Sequence, residues 1–129
     1  MKRVSLYGCS IACGFPFPAD DHKEPSPNLD EHLITNPAAT FMARANGDSM
    51  QGLGIFDRDL LIVDRSLEPV QGDVVVVALD GQLACKVLDR HRGRLLSANS
   101  QYPPIPIREG QEFIVEGVVK ASIRYHRLL

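Results

Sequence analysis

The sequence predicts a mostly β domain built from hairpins, preceded by an extended N-terminal arm. Three observations point there. Two short, unbroken apolar runs, Leu60–Val63 and Val74–Val77, are each introduced by an aspartate, as strands covered on both faces tend to be. Turn signals recur roughly every ten residues from Asn46-Gly47 onward, the spacing of a compact all-β domain. Between the valine run and the next apolar stretch stands Asp80-Gly81, a pair suited to the type I′ turn, whose two central residues both need φ > 0.

The elements follow in order. Pro16, Pro18, Pro25 and Pro27 surround the polar cluster Asp20-Asp21-His22-Lys23-Glu24. Proline fixes φ and removes a backbone donor, so this stretch is neither a central strand nor a helix interior. We assign residues 1–28 to an arm and 29–129 to the folded domain. A short helix opens the domain, with Asn28 as N-cap, Glu31 at N3 and Leu29 one turn from Leu33; Asn36-Pro37 ends it. Strands are expected over Phe41–Ala45, Asp59–Asp64, Asp73–Leu79 and Gln82–Leu88. A turn at His91-Arg92-Gly93 leads to Arg94–Ala98, and the last long β segment is Glu112–Tyr125. The poor alternation of Phe113-Ile114-Val115 and Val118-Val119 suggests that part of this segment lies at a homodimer interface.

Composition narrows the function. A chain of 129 residues holds one ordinary domain, too small for an α/β-hydrolase or a (β/α)₈ barrel. Its 14 basic and 16 acidic residues give a net charge of −2, against the cationic excess of proteins that grip nucleic acid non-specifically. Met1-Lys2-Arg3 is followed by no signal-peptide core, and no apolar run approaches the ~18 residues that cross a bilayer. Cys9, Cys13 and Cys85 fit a reducing compartment, and the expected location is the cytoplasm. Cys9 and Cys13 have no matching ligand pair downstream, and His22, His32, His91 and His126 are scattered, so no metal and no cofactor is expected. Arg90, His91, Arg92 and Arg94 read first as a solvated hairpin tip.

The chemistry concentrates at Gly47-Asp48-Ser49-Met50, directly after a strand. A serine at such a junction can expose Oγ, and its own amide with a neighbour's can face an oxyanion. The nucleophile elbow fails because Gln51 stands where its second glycine belongs, and no serine has a lysine three residues later. On this motif alone a structural turn serine is the commoner reading. Lys86, one of four lysines, adds to it. It lies in the apolar return strand of the Asp80-Gly81 hairpin, pointing either outward between buried neighbours or into the core. If inward, desolvation lowers its pKa toward the neutral form that a general base requires, as in Ser–Lys variants of serine catalysis.

Gly47-Asp48-Ser49-Met50, Asp59–Asp64, Gly72-Asp73-Val74-Val75 and Asp80-Gly81 with Lys86 occur in the order found in self-cleaving LexA/UmuD peptidase domains. Cys13-Gly14-Phe15-Pro16-Phe17-Pro18-Ala19 resembles the cleavage site of the UmuD group, which includes MucA, ImpA and RulA. The resemblance spans about residues 12–125. It departs at Phe17, where the group has a small polar residue, in Gln82–Cys85, and in a shorter arm before Cys13.

The resemblance implies a compact peptidase domain of hairpins and small curved sheets, with Ser49 as nucleophile and Lys86 as general base. Backbone amides of Ser49 and Asp48 would hold the oxyanion, and the cleaved bond would join Cys13 to Gly14. The missing Cβ of Gly14 would let a bent chain approach the serine. About 35 residues at ~3.3 Å each let the arm reach its own or a partner's site. The resemblance further implies cleavage stimulated by a RecA nucleoprotein filament. A trimmed homodimer would then act with a UmuC-type error-prone DNA polymerase in SOS translesion synthesis, touching DNA only through partners and no membrane. The alternative is a non-catalytic dimeric accessory subunit of that polymerase, which would need none of Ser49, Lys86 and Cys13-Gly14.

Overall fold

The computed structural model describes residues 28–127 together with 6–7, 13 and 23–24. The chain divides into two compact units, Met1–Thr35 and Asn36–Leu129. In the first, β1 (Leu6–Tyr7) pairs antiparallel with β2 (Lys23–Glu24), Leu6 opposite Glu24. The arm therefore carries a small β ladder that its proline spacing does not announce. Helix α1 (Leu29–Leu33) follows in the same unit. Its cap is Asn28, whose side chain accepts from the Asp30 amide at 3.0 Å, satisfying one of the donors a helix start leaves open.

In the second unit, Pro37 opens a single 3₁₀ turn, Pro37–Ala39. Its fixed φ suits a first helical position, where the missing N–H costs nothing. The strands β3 (Thr40–Arg44), β4 (Leu60–Asp64), β5 (Val74–Leu79), β6 (Gln82–Asp89), β7 (Arg94–Leu96), β8 (Ile105–Pro106) and β9 (Phe113–Ile123) follow. They form one seven-stranded antiparallel sheet in the order β3-β4-β9-β5-β6-β7-β8. The mostly β expectation holds, and the hairpins join into a single sheet. Asp80 and Gly81 have φ of 50° and 81°, the double positive that the β5–β6 hairpin requires.

Strand β9 lies at the middle, between β4 and β5, with a register shift against each. Its poor alternation thus follows from a central, irregular strand, and needs no interface to explain it. Gly117 sits between the two shifts; a Cβ there would stand 2.6 Å from Val63 Cγ1 and 3.1 Å from the Asp64 carbonyl oxygen. Only a glycine lets β4 and β9 approach so closely.

The sheet divides its apolar residues between two clusters. Met50, Ile55, Leu61, Val63 and Val76 form one; Val75, Val77, Leu88, Leu95 and Val118 form the other. The unbroken valine run of β5 is explained by this division. Alternate valines feed opposite clusters, as the period-two geometry of a strand demands. Among the described residues, no helix is long and apolar enough to cross a membrane.

Candidate active site

Ser49 and Lys86 line the same cavity, of about 310 Å³, whose wall is otherwise largely apolar and includes Phe41, Met50, Ile55 and Cys85. The elements that bring them there are different in kind. Ser49 lies on the turn that follows β3. The Gly47 amide donates to Asp57 Oδ1 at 2.8 Å, and Gly47 adopts a φ of 94°, which a residue with a side chain would resist. A one-turn 3₁₀ helix, Gln51–Leu53, follows the serine. Ser49 itself is half-buried, and makes no hydrogen bond to another described residue.

Lys86 sits within β6, opposite Val75 of β5, and is only 9% exposed. Its Nζ donates to Ser97 Oγ at 2.8 Å and lies 5.4 Å from the centre of the Tyr102 ring. The ion pairs among the described residues bind Arg58, Arg94 and Arg124, not Lys86. Burial therefore acts on it with no carboxylate partner among the described residues to oppose it. Desolvation pushes the Lys86 pKa below the ordinary lysine value, with the neighbouring Cys85 acting weakly the other way. Of the two orientations open at the level of sequence, the inward one is found. The same burial pushes the Cys85 thiol up to about 11.

The segment from Ser97 to Tyr102 ties the two sides together. Asn99 Nδ2 donates to the Asp48 carbonyl at 3.0 Å, and the Tyr102 hydroxyl donates to Asp48 Oδ1. That bond, with the charge of Asp48, pushes the Tyr102 pKa up. The Gly52 amide donates to the Ala98 carbonyl at 2.7 Å, so close that a Cβ on Gly52 would lie 2.6 Å from that oxygen. On the far side, Asp59 accepts from the Phe56 amide at 2.8 Å and from Arg124 at 3.2 Å. The Arg124 guanidinium stacks 3.9 Å from the Phe56 ring centre. Hydrogen bonding to Arg124 is the chief reason that the Asp59 carboxyl lies below its usual pKa.

Of the residues singled out from sequence, Ser49 and Lys86 line the cavity, and Asp48 precedes Ser49 on the same turn without lining it. Cys13 is exposed, whereas Gly14 lies outside the described residues. Ser97, Asn99 and Tyr102 were not anticipated. A signal for Ser97 existed: β6 pairs with β7 as Val87 with Leu96, and the same register carried one step further sets Lys86 against Ser97. Among the described residues, no cluster of three His, Cys, Asp or Glu side chains is placed to hold a metal ion.

Comparison with known proteins matches residues 5–120 to the Peptidase S24-like family. The chain is 43% identical to protein SamA of Salmonella typhimurium over 127 residues, covering 98% of this chain and 89% of SamA. It is 36% identical to protein ImpA of Salmonella typhimurium over 124 residues, covering 96% and 86% of the two chains. Protein MucA of Escherichia coli is 34% identical over 128 residues, covering 98% of this chain and 88% of MucA.

Proposed function

The chain belongs to the Peptidase S24-like family, within its UmuD-like group, and from that premise we propose that it is a self-cleaving Ser–Lys peptidase of the SOS response. The observation that carries the proposal is Lys86, a desolvated lysine in the wall of the same largely apolar cavity as Ser49. Only a neutral amine can take a proton from a hydroxyl, and burial is what favours that form.

In the proposed reaction, Ser49 Oγ attacks the carbonyl carbon of Cys13 while Lys86 Nζ takes the Oγ proton. The amides of Ser49 and Asp48 hold the negative oxygen of the tetrahedral intermediate. The carbon–nitrogen bond to Gly14 then breaks, and Lys86 returns the proton to the departing amine. Water, activated by the same lysine, releases the acyl group from Ser49. The resemblance to the UmuD group adds stimulation by a RecA filament on single-stranded DNA. It also adds a trimmed homodimer beginning at Gly14 and a UmuC-type polymerase as its partner in translesion synthesis.

Intact-mass spectrometry tests this reading, before and after incubation with RecA, single-stranded DNA and nucleotide. The expected result is one break between Cys13 and Gly14, slowed when Gly14 is replaced by valine. A product starting elsewhere overturns the assigned bond; no product overturns the peptidase reading and leaves a non-catalytic accessory subunit. Light scattering of the intact and trimmed chains should give a dimer at micromolar concentration; a monomer in both overturns that part.

A further inference from the structure

We propose that Ser97 is a positioning residue for Lys86. It holds the lysine's nitrogen so that its free electron pair faces the Ser49 turn. The inference rests on the peptidase reading above and deepens it.

The contact is built by the sheet. Residues directly opposite one another on antiparallel strands have Cβ atoms about 5 Å apart. The β6–β7 register pairs Val87 with Leu96, so Ser97 faces Lys86 one step beyond the end of the ladder. Val75 closes the other flank and is fully buried. The lysine stem thus runs between two neighbours in fixed register, and its tip meets one oxygen, Ser97 Oγ, at 2.8 Å.

A neutral lysine amine carries two N–H bonds and one electron pair. Unheld, it rotates about its last carbon bond and offers the electron pair in any direction. With one N–H given to Ser97 Oγ, rotation is restricted and the pair turns away from Ser97. A carboxylate in the same place would also fix the nitrogen, but it would hold the proton there and raise the pKa. A neutral hydroxyl orients the amine with a much smaller rise than a carboxylate's charge would bring. The continuation of the same segment reaches the nucleophile's side, through Asn99 and Tyr102 to Asp48 and through Ala98 to Gly52. Ser97 therefore places the lysine in the frame that also holds the Ser49 turn.

Other groups that titrate or carry charge lie beside this nitrogen or in the same cavity wall. They are the Cys85 thiol beside it on β6, the Tyr102 phenol over it, and Arg44 of β3 in the same cavity wall. A readout specific to Lys86 is therefore needed. In full-length Ser49→Ala protein labelled at lysine Cε, four lysines give few NMR signals, and Lys86→Arg identifies the one of interest. Ser97→Ala removes an acceptor from the charged form, so the Lys86 titration should move to lower pH. With Ser49 intact, the same change should lower the high-pH plateau of self-cleavage about tenfold, where the lysine is neutral in both proteins. Ser97→Thr should restore both, and Ser97→Val, matched to threonine in volume, should not; this second pair holds if alanine disturbs folding. A titration and a plateau both unmoved in Ser97→Ala and Ser97→Val overturn the role of Ser97. A titration that moves in a protein that never cleaves itself overturns the peptidase reading instead.

Discussion

Lys86 and Ser49 share a cavity but are held in opposite ways. The lysine lies inside a strand, with ladder partners on β5 and its tip on Ser97. The serine lies on a turn, half-buried and without a hydrogen bond to another described residue. Its turn is fixed from outside, by Asp57 at Gly47 and by Asn99 and Tyr102 at Asp48. The proposed base is thus positioned by the sheet itself. The proposed nucleophile is positioned by a segment 51 positions further along the chain. Damage to the sheet should therefore appear first as lost stability, and damage to the segment first as lost rate.

The sharpest division of that comparison comes from removing each group. Ser49→Ala and Lys86→Met should each abolish self-cleavage at every pH, as followed by intact mass, whereas Lys120→Ala should not. Their effects on stability should differ. Ser49→Ala should leave the unfolding free energy within about 0.5 kcal/mol of the parent, since Ser49 makes no hydrogen bond to another described residue. Lys86→Met should raise the melting temperature at neutral pH, because it replaces a desolvated cation with no ion-pair partner among the described residues by an apolar chain of similar shape.

Two glycines give the next largest effects. Gly117→Ala drives a Cβ into Val63 and the β4 backbone, and chemical denaturation should show a loss of roughly 3 kcal/mol with an unchanged pH profile of cleavage in the folded fraction. Gly52→Ala drives one into the Ala98 carbonyl, where a loop can give way. It should cost less stability, about 1–2 kcal/mol, and more rate. Equal losses of rate in the two folded variants would break the comparison.

The pH dependence separates the two regions once more. The folded pKa of Lys86 is depressed, so cleavage should rise with pH and level off once the lysine is neutral. Stability should rise over the same range, because the unfolded chain, with its ordinary lysine pKa, binds the proton more tightly. Asp59 works in the other direction. Its folded pKa is depressed by Arg124, so its contribution is present above the ordinary aspartate value near ~4 and is lost as pH falls through the folded value. Asp59→Asn should remove part of the acid slope in urea midpoints below about pH 5, while the alkaline rise in cleavage remains.

The same contrast explains what was legible in the sequence. The β5–β6 hairpin was readable because the turn chemistry is local: Asp80 and Gly81 both take positive φ, and Gln82–Leu88 falls inside β6. Leu60–Val63 was readable because four apolar residues between aspartates describe a strand buried on both faces. Strand β8, at Ile105–Pro106, was not, since two residues carry no period and one is a proline. Ser49 and Lys86 stood out by their neighbours and by their order along the chain. Ser97 did not, because its partner is set by a register that a sequence shows only after the hairpin turn between β6 and β7 is placed. Asn99 and Tyr102 were further from view, as their shared partner Asp48 lies across the fold and no local pattern links them.

Cys85 gives this cavity a chemical selectivity of its own. A thiolate is a far stronger nucleophile than a hydroxyl, and Cys85 lines the same wall as Ser49. With its thiol pushed up to about 11, only about one molecule in ten thousand carries the thiolate at pH 7. Alkylating reagents and peroxide should therefore pass it by at neutral pH, leaving the sulfur as an unreactive filler. A reagent selective for activated hydroxyls would then mark this cavity without a competing adduct on its cysteine.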